Sequence, residues 1–211
     1  MIILVILLLI ILLNVYSHIN ESYIILKNPK LPNDIQKYQQ SKKKFKYGCI
    51  PRSIYPGLVK VNNEYSKFIR DEFEDVNGIK IFNDIKLKNN IKFLHIIRNN
   101  KPLKISKKFP KLLEAVKNVK RLKNVSFSLL PANTSRHMHD KHNKDLFRAH
   151  IPIKLPTNRE ECGICVEKEC RTWEYDDFLL LDENLMHQVW NKSDTDRIIL
   201  LIDVKKVNIN S

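Results

Sequence analysis

Three histidines crowd the stretch "SRHMHDKHN", residues 135–143, with Asp140 directly after the second of them. Further on, "LFRAHIPI" carries Arg148 and His150, and "LMHQVWNKSDTDRIILLIDV" carries His187 and Arg197. Neutral imidazoles are good ligands for a transition metal, and guanidinium forks bind carboxylates. If the fold gathers these side chains on one face, it builds a metal site with a place for an anionic co-ligand. The nonapeptide alone does not separate that chemistry from a pH-responsive loop or a polar turn. Its meaning depends on the elements that position the downstream residues.

From residue 125 onward the texture is that of strands. "VSFSLLP", "LFRAHIPIKL", "GICVEK", "CRTWEY", "DFLLLD", "HQVWN" and "RIILLIDV" are short β-branched or aromatic runs separated by turn residues. So many short strands in succession indicate an antiparallel sandwich or barrel. Strand alternation puts Arg148 and His150 on one face. His187 opens a strand that closes at "NKSDTD", and a hairpin there is expected to return Arg197 to the sheet end of His187. Upstream, "NNEYSKFIRDEFEDV" places Tyr65, Phe68, Ile69 and Phe73 at helical spacing, and "FPKLLEAVKNV" reads as a second helix with Pro110 in its first turn. The expected organisation is a β core over 123–207, a helical cap over 61–122, a stalk or linker over 19–60 and an apolar segment over 1–18.

The N-terminal run "MIILVILLLIILL" is shorter than the roughly 20 residues a membrane span needs, and it lacks a basic start and a small-residue cleavage site. It reads as an uncleaved signal anchor, with a cleaved signal as the alternative, and implies a single-pass membrane protein of the secretory route or its equivalent. The side is open: lysines after the segment favour the cytoplasm, whereas sequons at Asn20, Asn124, Asn133 and Asn191 suit a lumenal domain. The net charge is +14. That charge is spread, without the aromatic interleaving of a nucleic-acid module, so no specific nucleic-acid partner is expected. Cys162, Cys165 and Cys170 lack a second pair at zinc spacing, leaving a disulfide within the loop or free thiols in a strand pair.

Taken together, Ser128 to Val204 resembles the aspartyl/asparaginyl β-hydroxylase family of iron(II)- and 2-oxoglutarate-dependent dioxygenases. The carriers are R-x-H-I-P-I…P at Arg148–Pro156, "RTWE" at 171–174, "LLLDENLMHQVWN" at 179–191, and Arg197 ten residues after His187. His139 lies eleven residues before His150, and Ser128 eleven before His139, at the family's distances. The resemblance implies a double-stranded β-helix, or jelly roll. It makes His139 and His187 iron ligands, and Arg197 with Ser128 the partners of the distal carboxylate of 2-oxoglutarate. Arg148 and His150 would contact that co-substrate. With O2 the reaction would hydroxylate a C–H bond of a protein Asp or Asn side chain or of a lipid acyl chain, releasing succinate and CO2.

One departure stands out. The position two residues after His139 is Lys141, where many iron oxygenases have a carboxylate and part of this family has glycine. A lysine facing iron is repelled, so it should face solvent. Asp140 is the candidate third ligand, and His137 and His142 are bystanders. Read singly, His187 is an ordinary core-edge histidine and Arg197 a strand-end cation; it is their joint spacing with Trp190 and Asn191 that argues otherwise. Trp173 and Trp190 read as packing. The rivals are a jelly-roll binding module that has lost its metal and a basic protein of the membrane surface.

Overall fold

The computed structural model describes residues 50, 52–139, 145–167 and 169–206. The expected anchor, most of the stalk, and Asp140 to Lys144 lie outside the described residues.

The described chain is mainly β. Ten strands form two antiparallel sheets. They are β1 (Lys92–Arg98), β2 (Lys101–Pro102), β3 (Leu122–Leu130), β4 (Thr134–His139), β5 (Leu146–Lys154), β6 (Cys162–Val166), β7 (Glu169–Arg171), β8 (Leu179–Leu181), β9 (His187–Asn191) and β10 (Arg197–Lys205). The large sheet has the order β2-β1-β3-β10-β5-β8 and the small one β4-β9-β6-β7. Strand β10 runs through the middle of the large sheet, and its residues from Arg197 to Val204 are all buried. This suits a strand covered on both faces, whose sequence is continuously apolar rather than alternating.

Each face of the large sheet has its own core. Phe127 and Leu129 of β3, Ala149 and Ile151 of β5, and Ile198, Leu200 and Ile202 of β10 pack against helices. These are α1 (Pro56–Lys60), α2 (Ser66–Asp75), α3 (Gly78–Asn83) and α4 (Pro110–Val116), with a single wide turn over Val61–Tyr65 joining α1 to α2. The opposite face presents Leu130, Ile199, Leu201 and Leu181 to Ile164, Val166 and Val189 of the small sheet. Buried Glu72 of α2 accepts hydrogen bonds from the backbone of Lys111 and Leu112 at 2.7 and 2.9 Å, satisfying donors that the start of α4 leaves free.

Three readings of the sequence change here. Strand β1 lies inside the segment expected to be a helical cap; "KFLHIIR" alternates too weakly to show itself, but its backbone pairs along β3. The folded unit also begins before residue 61, since Ile50, Tyr55 and Leu58 are in the helix-side core. In α2 the inward residues are Ile69, Glu72 and Phe73, while Phe68 is 51% exposed.

The small sheet is stapled by a disulfide between Cys165 and Cys170, which face each other across β6 and β7. This decides between the two readings of those cysteines. Cys162 remains a buried thiol, and its burial pushes its pKa up to about 11. Trp190 covers this side of the sheet, and Gly163 is required beneath it: a Cβ there would lie 2.4 Å from the indole ring. Of the sequons, Asn191 is fully buried with its amide donating to three carbonyls, and Asn124 bonds Asp203, so both serve the fold. Asn133 is exposed.

Candidate active site

The polar residues singled out above converge between the two sheets. One small pocket is lined by Ser128, Arg136, His139, Arg148, His150, Glu183, His187 and Arg197. Register explains the convergence. In the large sheet Ser128 opposes Ile199, His150 opposes Leu201, and Arg148 opposes Asp203, so these side chains share the inward face with Arg197. From the small sheet, His139 and His187 are direct partners across β4 and β9.

Arg197 reaches the pocket by a different route from the one expected. The turn after His187 is not a hairpin within one sheet: β9 belongs to the small sheet and β10 to the large one. The two residues therefore face each other across the sandwich. Strand β4 was also unforeseen, because "TSRHMH" is too polar to read as a strand; a register shift between Arg136 and His139 sets His139 opposite His187.

The two imidazoles are prepared alike. Their ring centroids are 4.1 Å apart. His139 Nδ1 bonds the carbonyl of His137 at 2.8 Å, and His187 Nδ1 bonds that of Leu185 at 2.9 Å. A carbonyl only accepts, so each Nδ1 carries the hydrogen and each Nε2 keeps its lone pair, the arrangement typical of metal-binding histidines. His139 Nε2 is buried with no hydrogen-bond partner. Burial, with the neighbouring His187 adding to it, lowers the His139 pKa to about 4; burial lowers that of His187 too. Both rings are neutral at pH 7 and can donate to a cation. Among the described residues no third His, Cys, Asp or Glu completes a metal cluster with them, and Asp140 lies outside those residues.

Arg197 is 2% exposed and has no carboxylate partner among the described residues. Its Nε is buried without a hydrogen bond, and its guanidinium lies 4.8 Å over the Trp173 ring. Burial lowers its pKa to about 10. A buried, unpaired guanidinium is unfavourable for folding and suited to an incoming anion. Trp173, read from sequence as packing, also stacks on His150 at 6.1 Å and so holds two pocket residues in place.

Arg148 and His150 are engaged more fully than expected. Arg148 donates through Nε and Nη2 to Asp203 at 2.5 and 2.9 Å, and through Nη1 to Glu183 at 2.8 Å. His150 Nε2 and Glu183 Oε1 are 2.9 Å apart, while His150 Nδ1 is buried without a partner. Burial alone would raise the Glu183 pKa, yet Arg148 and then His150 outweigh it and hold the carboxyl ionised well below its usual range. Glu183 is thus a hub that sequence reasoning missed, although it stands within the "LLLDENLMHQVWN" segment four residues before His187. Arg136 was also missed.

A family model described as "Aspartyl/Asparaginyl beta-hydroxylase" matches residues 63–207, more than half of the chain. The chain belongs to the aspartyl/asparaginyl β-hydroxylase family. Aspartyl/asparaginyl beta-hydroxylase of Mus musculus is 29% identical over 80 residues, 38% of this chain and 10% of that protein. The ornithine lipid ester-linked acyl 2-hydroxylase of Rhizobium tropici is 24% identical over 97 residues, 46% of this chain and 34% of that protein. The chain therefore matches only a minor part of each relative's length. Among solved structures, a cupin 2 conserved barrel domain protein from Salinispora arenicola aligns with 58% of this chain and 82% of its own, at TM-score 0.38 and 14% identity. Membership makes this chain kin to hydroxylases.

Proposed function

We propose that the protein is an iron(II)- and 2-oxoglutarate-dependent dioxygenase that hydroxylates a C–H bond of a protein Asp or Asn side chain or of a lipid. The observation that carries this reading is one pocket holding two neutral imidazoles, with lone pairs at Nε2, beside a buried arginine that has no carboxylate partner among the described residues. His139 and His187 would hold the iron. Bound iron supplies the means by which O2 decarboxylates 2-oxoglutarate to succinate and CO2 and places the second oxygen atom into the substrate C–H bond.

The chain's own residues bind and orient. Arg197 pairs with the distal carboxylate of 2-oxoglutarate, assisted by the buried Ser128 hydroxyl on the same inward face. Trp173 fixes the guanidinium from beneath. Arg148 acts through Glu183 and Asp203 to hold the pocket wall, and His150 donates from Nε2 to Glu183 and so holds that carboxylate in place, leaving Nδ1 as an acceptor. The pocket measures about 20 Å³, so it must widen to admit 2-oxoglutarate. If Asp140 does not reach the iron, the site is a two-histidine one without a protein carboxylate.

Two features support placement in an oxidising, membrane-associated compartment: the Cys165–Cys170 disulfide and the apolar N-terminal run. Among the described residues no helix is long and apolar enough to cross a membrane.

The test is succinate formation by the purified chain with iron(II), ascorbate, 2-oxoglutarate and O2. Wild type should produce succinate and retain metal, and the His139→Ala/His187→Ala variant should do neither. If wild type makes no succinate and retains no more metal than that variant, the jelly-roll binding module without metal becomes the better reading.

A further inference from the structure

Beside the histidine pocket lies a second, larger cleft of about 410 Å³, lined by Lys88, Asn89, Phe93, His95, Arg98, Asn124, Ser126, Arg136, Arg148 and Asp203. It shares Phe93, Arg136 and Arg148 with the histidine pocket, so the two spaces adjoin. Its charges do not balance. The single acid, Asp203, is taken by Arg148 and by the amide of Asn124. That leaves Lys88, Arg98 and Arg136 with no carboxylate partner among the described residues. His95 lines the same cleft, stacked on Phe93; burial first, then Arg98 and Arg148, lowers its pKa, so its ring adds no charge at pH 7 and remains a hydrogen-bond donor.

We propose that this cleft is the subsite for the phosphate group of the substrate. This rests on the dioxygenase reading for what lies at its inner end. Three cations round one polar cavity exceed what a single carboxylate neutralises, and they suit a phosphate, which carries about −1.5 to −2 charges and three acceptor oxygens. Arg136 bridges both spaces, so a phosphate held by Lys88 and Arg98 leaves its carbon skeleton directed past Arg136 toward His139 and His187. Phe93 is the one large apolar side chain lining the cleft, and the other lining residues are charged or polar, so the cleft suits a polar headgroup or a small phosphorylated molecule better than an acyl chain. Lys88 and Arg98 belong to the segment around β1, upstream of the motifs from Ser128 onward but within the residues the family model matches.

The experiment is binding calorimetry on the full chain without metal, titrated with inorganic phosphate against a chloride background of equal ionic strength. Wild type should bind phosphate, and Lys88→Gln/Arg98→Gln should bind it about tenfold more weakly, as for the loss of two partly screened charged contacts. Both residues are exposed, so the variant should melt with wild type. Glycerol 3-phosphate in solution and phosphatidylcholine vesicles containing phosphatidic acid distinguish the phosphate's source: whichever shows the larger loss in the double variant is the better match. Equal phosphate affinity in wild type and variant overturns the proposal. So does an acidic peptide, acetyl-Asp-Glu-Asp-amide, that binds as tightly as phosphate and depends equally on both residues, since the cleft would then serve carboxylates. Because the titration needs no metal, absence of succinate beside an intact phosphate isotherm sinks the reaction alone, and succinate formation beside a lost isotherm sinks the subsite alone.

Discussion

Replacing Arg197 with methionine should make the protein more stable while removing its capacity for 2-oxoglutarate. The side chains are of similar reach, and Arg197 is 2% exposed, so the substitution removes a buried charge and leaves most of the volume filled. Burial moves the guanidinium from the ordinary 12.5 to about 10, which corresponds to about 3 kcal/mol against the charged form. Loss of the Trp173 contact returns about 1 kcal/mol, so the net gain is about 1–2 kcal/mol. For a domain of this size that raises Tm by roughly 2–8 °C. The sign with pH is definite. A base whose folded pKa lies below its unfolded one destabilises the fold at every pH below the folded value, so the advantage of the variant is full below pH 10 and shrinks as pH rises from there toward 12.5. Thermal melts of wild type and Arg197→Met, with and without 2-oxoglutarate and manganese, read both effects. With manganese present throughout, adding 2-oxoglutarate near a hundred times its Kd should stabilise wild type by about 3 kcal/mol and the variant not at all. A variant less stable than wild type by 2 kcal/mol or more would show that the guanidinium is already satisfied, and the anion-site reasoning would fall with it.

Two further perturbations separate the framework from the chemistry. Glu183→Gln keeps the shape but leaves half-buried Arg148 with Asp203 as its one carboxylate among the described residues, so urea melts should show a loss of about 2–4 kcal/mol; a change under 0.5 kcal/mol would show that the hub does not hold the wall. Reducing the Cys165–Cys170 bond frees a short loop, and melts with and without reductant should differ by about 2 kcal/mol, while unchanged melts would remove its structural role.

How far this site was legible follows from how each residue announces itself. Arg148 and His150 are two apart in a strand of clear alternation, so their common face needed only the period of the pleat. His139 and His187 were legible through distances to other residues rather than through their surroundings. Glu183 was not, because its partners come from β5, and a lone Glu between Asp182 and Asn184 looks like any turn residue. Strand β1 was hidden by its neighbours: two helices flank it, and its pairing with β3 is a tertiary fact. The route of Arg197 was misjudged for a related reason. A five-residue turn fits a hairpin and a sheet-to-sheet corner equally well, and only the packing of β10 between β3 and β5 decides.

The contrast between half-buried Arg148 and buried Arg197 shows where folding requirements end in this sandwich. Arg148 and Arg197 point into the same pocket from adjacent strands, Arg148 half-buried and Arg197 fully out of water. Arg148 is met by two carboxylates, so its charge is balanced within the fold. Arg197 is met by an aromatic face and by empty hydrogen-bonding positions, beside an imidazole nitrogen equally without a partner. A core selected for stability alone would not leave a guanidinium and a histidine nitrogen unsatisfied within one pocket, since each such group is destabilising when nothing binds it. The partners these two atoms lack are an anion and a cation. The proposed reaction brings one of each.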